Sequence, residues 1–142
     1  MALLDRLSLR EKQLLGERFN LRAGDRKRIE SCWIINDQSS KLWAKDKMKP
    51  SQVYTILEPL SYEALILLKA KNKSALVNLR IVEFLRFSNL TRVSIKGADL
   101  KRIGGQEDKE IGKTLSKVLH AKIDGNRMSR REELRLARRL IF

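Results

Sequence analysis

Only a few residues of this chain have the chemical type that catalysis or metal binding would need, and their spacing favours neither. Cys32 is the only cysteine and His120 the only histidine, so the sequence supplies neither a disulfide framework nor a cluster of metal-binding thiolates. The residues after Cys32 are apolar, which favours a buried thiol without a nearby base. His120 and Asp124 are spaced to share one helix face. No third metal ligand accompanies them, so a surface pair is predicted.

The sequence also lacks the carboxylate pattern that metal-dependent phosphoryl transfer would use. Such reactions commonly hold metal ions against a triphosphate with two neighbouring carboxylates, and the sequence contains no Asp-x-Asp pair. No glycine-rich phosphate loop is present, and the stretch Gly24–Arg28 is interpreted as an ordinary helix start. The chain is therefore predicted to be no enzyme by itself, with no catalytic residue, no metal site and no cofactor of its own.

The charge of the chain favours a polyanionic partner instead. Lysine and arginine number 31, aspartate and glutamate number 17, and the net charge is +14. A phosphate backbone releases counterions when such cations dock, which favours nucleic acid. High solubility without a polyanion and an acidic membrane surface are the alternative interpretations.

Membrane insertion and secretion are not expected. The apolar run Ala64–Leu68 is far shorter than the roughly 20 residues that span a bilayer, and no signal peptide is visible. The expected location is the cytoplasm, or an organelle of bacterial descent.

Helical patterns run along the whole chain, so the predicted fold class is all-α, a compact bundle of seven or eight short helices. Capping residues or proline mark several helix starts: Ser8, Pro50, Ser61, Ser74 and Ser129. The helix after Ser61 is apolar on nearly all sides and is predicted to be central. Leu76, Leu79 and Val82, together with Phe84 or Leu85, are predicted to form a broad apolar stripe on the next helix.

The last 52 residues form a basic helical region, with 14 lysine and arginine residues against 7 aspartate and glutamate residues. A short helix is predicted over residues 98–103, ended by Gly104, and a longer one over residues 108–124. Another helix follows Ser129. The predicted inward stripe of the longer helix consists of Ile111, Leu115, Val118 and Leu119.

A row of lysines on the longer helix is a candidate phosphate-binding face. Lys109, Lys113 and Lys117 are spaced by four and form a ladder, which His120 and Lys122 would extend. Like charges at this spacing repel one another, so their presence favours an anionic partner. A solvated lysine face is the alternative.

Two arginines at the start of the last helix are further candidates. Arg130 and Arg131 lie in its first turn, where each opposes the helix dipole at a cost of roughly 0.3–1 kcal/mol when exposed. Arg135, Arg138 and Arg139 lie nearer the other end, where the dipole alone would favour them. Arg130 and Arg131 are therefore the better candidates for phosphate contacts.

Two segments carry a recognisable pattern. Residues 49–65 read KPSQVYTILEPLSYEAL, and residues 95–104, 110–125 and 129–140 read IKGADLKRIG, EIGKTLSKVLHAKIDG and SRREELRLARRL. In this order they resemble the C-terminal body and tail of the bacterial-type tRNA nucleotidyltransferases, the CCA-adding enzymes, and of the related poly(A) polymerases. The first segment matches at Lys49, Pro50, Ser51, Tyr54, Pro59, Leu60, Ser61, Glu63, Ala64 and Leu65. The resemblance covers roughly residues 49–140.

The resemblance implies tRNA binding without catalysis. Residues 1–90 would be a remnant of the helical body and residues 91–142 the basic tail, which in this family grips the elbow of tRNA while a separate head adds nucleotides. Mg²⁺ and CTP or ATP would belong only to that head. The implied partners are tRNA or another structured RNA, and the catalytic head itself if the chain is part of a longer enzyme. The candidate RNA-binding residues are Lys96, Lys101, Arg102, Lys109, Lys113, Lys117, Lys122, Arg127, Arg130 and Arg131.

One loop departs from the family's pattern. The family usually has a proline–glycine–proline turn where this chain has Glu107, Asp108 and Lys109. Acidic residues make a good helix start, so the helix is still expected, while the RNA contacts of this loop stay open. Two other functions also stay open: a stand-alone structural protein of a ribonucleoprotein, and a protein-interaction module with a basic face.

Overall fold

The structure, a computed structural model, describes residues 7–35, 41–42, 47–105, 108–125 and 128–142. Over these residues it contains eight helices and no strand. The predicted all-α fold class is therefore confirmed.

The helices follow the chain in this order: α1 (Leu9–Arg18), α2 (Ala23–Trp33), α3 (Pro50–Leu57), α4 (Tyr62–Lys71), α5 (Ala75–Leu90), α6 (Gly97–Arg102), α7 (Asp108–Ile123) and α8 (Arg130–Ile141). None of these described helices is both long enough and apolar enough to cross a membrane.

The helices α1 and α8 begin at the predicted starts Ser8 and Ser129, and each start forms a capping box. The Ser8 hydroxyl accepts the Glu11 backbone N–H at 3.3 Å, and the Glu11 carboxylate accepts the Ser8 N–H at 2.7 Å. Ser129 and Glu132 repeat this arrangement at α8. Each box satisfies backbone donors that have no partner inside the helix, and this fixes the helix start.

Glycines follow the ends of α6 and α7. Gly104 follows α6 with a φ of 109°, and Gly125 follows α7 with a φ of 99°, a region that residues with a side chain rarely adopt. A Cβ at Gly104 would also lie 2.7 Å from the ring of Phe142. The chain reversal after α6 therefore needs glycine for two reasons.

Contacts divide the chain into two compact units. The first comprises Met1–Met48 and Thr55–Val82, and the second Lys49–Tyr54 and Glu83–Phe142. The second unit thus takes in residues ahead of the predicted tail (residues 91–142), whose boundary stays a prediction.

In the first unit, α2 packs on α4. The Ser31 hydroxyl accepts the Ser61 backbone N–H at 3.2 Å and donates to the Arg28 carbonyl at 2.7 Å. Arg80 is buried, and its guanidinium donates to the backbone carbonyl of the fully buried Leu42. Burial of these polar groups is compensated because each has a hydrogen-bond partner.

Two predictions about this unit are wrong. The helix α4 is not buried on all sides, since Tyr62 and Ile66 are exposed. Leu76, Leu79 and Val82 are exposed as well, so that only Phe84 of the predicted stripe is buried. The buried face of α5 consists of Val77, Arg80, Ile81 and Phe84. These positions have regular helical spacing, and Arg80 is accommodated on this face by its bond to Leu42.

The core of the second unit lies among α6, α7 and α8. Its buried residues are Ile95, Leu100, Ile111, Val118 and Ala137. The predicted inward stripe of α7 is confirmed, because Ile111 and Val118 are buried while Leu115 and Leu119 are half-buried. This core fixes the directions in which the basic side chains of the three helices point.

Candidate nucleic-acid interface

The lysine ladder is an exposed row on α7. Lys109, Lys113 and Lys117 are all exposed on this 16-residue helix, on the side opposite the buried Ile111 and Val118. None of the ion pairs among the described residues involves these three lysines. Their charges are therefore directed to solvent.

Three other predicted residues meet at one depression of the surface. The depression has a volume of about 230 Å³ and is lined by Ser94, Lys96, Ala98, Asp99, Arg102 and Arg130. Three of these side chains are cationic, one is anionic, and none is aromatic. Such a lining suits a charged group better than a nucleic-acid base, which would need an aromatic surface to stack on.

Asp99 connects two walls of this depression. Its carboxylate accepts the Lys96 backbone N–H at 2.9 Å and the Arg130 guanidinium N–H at 2.9 Å. The bond from Lys96, and then the nearby Arg130 and Arg102, hold the pKa of the Asp99 carboxyl below its usual value. Asp99 is therefore ionised at neutral pH and keeps Arg130 at the depression.

Lys101 makes an exposed ion pair at the other end of α6. Its ammonium lies 2.9 Å from the Asp108 carboxylate, and both side chains are exposed. An exposed pair of this kind contributes only about 0–1 kcal/mol, so a phosphate can replace the carboxylate. The pair also places the end of α6 beside the start of α7, where the ladder begins at Lys109.

Lys122 does not extend the ladder, contrary to the prediction. Its side chain is 15% exposed and pairs with the fully buried Glu133. The same ammonium donates to the Arg92 carbonyl at 2.8 Å. The Glu133 carboxylate also accepts the backbone N–H groups of Ser94 at 2.8 Å and Ile95 at 3.1 Å. Lys122 thus holds the segment before α6 in place.

His120 is not part of the ladder either. It is half-buried, and its ring lies 6.1 Å from the ring of Tyr54, which in turn lies 5.5 Å from Phe84. The Asp124 carboxylate accepts the backbone N–H of Ser51 at 2.9 Å and its hydroxyl at 2.8 Å. Asp124 therefore caps the start of α3, where a negative charge is favourable.

Two predicted residues remain, Arg131 and Arg127. Arg131 is exposed in the first turn of this helix, next to Arg130. Arg127 lies outside the described residues, as does Glu107 of the departing loop. Because its side chain is exposed, Arg131 is accessible to an anionic ligand.

The described residues contain no group of histidine, cysteine and carboxylate side chains that could hold a metal ion. Cys32 is half-buried, and burial raises the pKa of its thiol. A thiol with a raised pKa is a poor nucleophile at neutral pH, because the thiolate is the reactive form.

Sequence reasoning missed Ser94 and Asp99 as residues of the depression. Asp99 meets Arg130 across 31 positions of the chain, and no local pattern signals such a contact. Glu133 did leave a signal, since it lies in helical register with Ala137 and Ile141 on the inward face of α8. A carboxylate at such a position needs buried partners.

Comparison of the chain with known protein families, curated proteins and solved structures gives no match. The functional assignment therefore rests on the charge and geometry described above and on the sequence pattern.

Proposed function

We propose that this chain binds tRNA or another structured RNA through the exposed cations of its second unit. The observation that carries the proposal is the row of Lys109, Lys113 and Lys117. These lysines repel one another at their spacing of four, and no carboxylate of the described residues pairs with them. An RNA backbone would supply the missing negative charge.

The length of this row fits contacts with successive phosphates. At 1.5 Å per residue, Lys109 and Lys117 are separated by about 12 Å along the helix. Lysine is a flexible point charge that binds phosphate without strict geometry. Recognition would thus follow the backbone and shape of the RNA, because base edges lie deep in the narrow major groove of folded RNA.

The sequence resemblance favours tRNA as the RNA. The start of its first segment, Lys49–Tyr54, belongs to the second unit. There Ser51 binds Asp124 and Tyr54 packs beside His120 of the second segment. On this proposal the chain is the substrate-gripping region of a CCA-adding or poly(A)-polymerase-like enzyme, and the chemistry that needs Mg²⁺ and CTP or ATP belongs to a separate head.

The salt dependence of tRNA binding tests the proposal. Binding should weaken by roughly 0.7–0.9 log units per log unit of salt for each phosphate contact. Replacing Lys113, Lys117 or Arg131 by alanine should weaken binding roughly five- to eightfold at 0.1 M salt, the counterion-release value of one contact. Each change should also lower the salt slope by about one. Fluorescence anisotropy with labelled tRNA at several salt concentrations measures both quantities.

Arg138→Ala is the matched control for these variants. It removes the same charge from the exposed surface of α8, but near the end of the helix where the dipole alone favours a cation. Its affinity and slope should stay close to those of the parent. Equal behaviour of Lys113→Ala, Lys117→Ala, Arg131→Ala and the parent would contradict the proposal.

A protein-interaction module is the second candidate, because of an exposed apolar stripe in the first unit. Leu76, Leu79 and Val82 of α5 are each more than one-third exposed, on the side of the helix opposite its buried face. Exposed apolar side chains in contiguous positions are typical of interaction surfaces. This candidate moves ahead if the basic variants leave tRNA binding unchanged.

A further inference from the structure

We propose that the depression lined by Lys96, Arg102 and Arg130 is a subsite for a single phosphate group. Without this phosphate the Asp99 carboxylate is bound to the Arg130 guanidinium, and the phosphate displaces it. The inference rests on the proposed function and adds to it a defined position on the RNA-binding surface. The lysine row lies on α7, whereas this subsite is built by α6, the segment before it and the start of α8.

The backbone around the depression is fixed before any ligand binds. Glu133, which has no exposed surface, accepts the N–H groups of Ser94 and Ile95, and Asp99 accepts the N–H of Lys96. Only the long cationic side chains have to reorient. Such preorganisation lowers the ordering cost of binding.

The size of the depression and its donors suit one phosphate. A water molecule needs roughly 10–15 Å³ of such volume, and the depression offers about 230 Å³, enough for a phosphate with part of its hydration. A guanidinium has five N–H donors in a planar fork that matches phosphate oxygens. Arg130 is 60% exposed, so donors beyond the bond to Asp99 can reach a ligand.

Asp99 sets the strength of this subsite. The three cations and the single carboxylate leave a net positive lining, but the ionised Asp99 repels a phosphate that approaches Arg130. The Arg130–Asp99 pair is exposed on its arginine side, and pairs of this kind are easily exchanged. A phosphate that gains Lys96 and Arg102 as well can therefore displace the carboxylate from Arg130.

The first experiment titrates the protein with inorganic phosphate and follows backbone amide resonances. Residues 94–99, Arg102 and Arg130 should shift together and saturate in the parent. Arg130 and Arg102 are both exposed. Arg130→Gln and Arg102→Gln should each abolish the saturable resonance shifts of the residues around the depression. An absence of saturable shifts in the parent would overturn the inference.

The second experiment compares Asp99→Asn with Glu132→Gln. Both changes remove one negative charge, and Asn keeps an acceptor for the Lys96 N–H, but only Asp99 lines the depression. Asp99→Asn should tighten phosphate and tRNA binding roughly two- to fivefold beyond Glu132→Gln, the expected effect of one opposing charge at a partly exposed site. Equal gains for the two variants would overturn the inference, because they would reflect long-range charge alone.

The source of the phosphate is distinguished with RNA hairpins that carry a 5′-phosphate or a 5′-hydroxyl. Equal affinities support a phosphodiester within the backbone, and tighter binding of the phosphorylated hairpin supports a terminal phosphate.

If Lys113→Ala weakens tRNA binding while Arg102→Gln and Arg130→Gln do not, the subsite is refuted and the proposed function stands. If the parent binds no tRNA, the proposed function fails, and the phosphate titration still decides whether the subsite exists.

Discussion

The contrast between Lys117 and Lys122 shows how position decides what a lysine does. Lys117 is exposed on the solvent side of α7, whereas Lys122 is nearly buried and bound to the fully buried Glu133. A buried ion pair is no clear gain over apolar residues, but removing one partner leaves a buried charge without compensation. Of these two lysines, Lys122 therefore contributes to the stability of the second unit, whereas Lys117 is available to a ligand.

The first prediction concerns these two lysines. Lys122→Met should lower the free energy of unfolding by about 3–5 kcal/mol, because it breaks a buried pair. Lys117→Met is the matched control and should change it by no more than about 0.5 kcal/mol, as is usual for exposed positions. Urea denaturation followed by circular dichroism measures both. Equal stabilities of the two variants would show that the Lys122–Glu133 pair does not hold the second unit together.

The sequence alone could have shown that Lys122 does not belong to the lysine ladder. Lys122 follows Val118 by four residues and Leu115 by seven, so it lies in register with the inward stripe of α7. Its charge suggested the surface, but its register indicated the core. By contrast, the contact of Asp99 with Arg130 depends on the packing of α6 against α8, which no local pattern encodes.

At the scale of the elements, helix starts and ends were predictable and the buried face of α5 was not. Ser8, Ser129 and Gly104 act through bonds and backbone angles within a few residues, so the local sequence is sufficient. In α5 the apolar residues surround the helix, and Arg80 lies at the centre of the buried face. A charged residue at that position hid the true stripe, because its partner is the backbone of Leu42 in a distant part of the sequence.

The second prediction concerns the cap of α8. The hydrogen bond from the Ser129 backbone N–H lowers the pKa of the Glu132 carboxyl. A lowered folded-state pKa gives stability that is fully present above the ordinary glutamate value of about 4.3 and is lost as the pH falls through the lowered value. Glu132→Gln keeps the shape of the cap without the charge. It should be less stable than the parent at pH 7.

The measurement is urea denaturation of parent and variant between pH 7 and pH 2. The difference in their free energies of unfolding should shrink as the pH falls and vanish once Glu132 of the folded parent is protonated. A difference that stays constant over this range would mean that the charge of Glu132 adds nothing to the cap.

At the scale of the whole molecule, the chain is strongly basic, with a net charge of +14. Its sequence contains no Asp-x-Asp pair. The third prediction is that this chain alone transfers no nucleotide, since the carboxylates that would hold the metal ions against a triphosphate are missing. The assay incubates it with tRNA that lacks its 3′ end, Mg²⁺ and labelled CTP or ATP. A complete CCA-adding enzyme is the positive control. Incorporation of label above background by the chain alone would contradict the prediction.

The bonds from Glu133 to Ser94 and Ile95 have a consequence for amide exchange. These two residues lie between α5 and α6, outside any helix, where backbone protons usually exchange with solvent within a short time. Here both protons are bound to a carboxylate without exposed surface, so they can exchange with deuterium only when α8 separates from this segment. They should therefore be among the slowest to exchange in the second unit, at rates close to that of Val118.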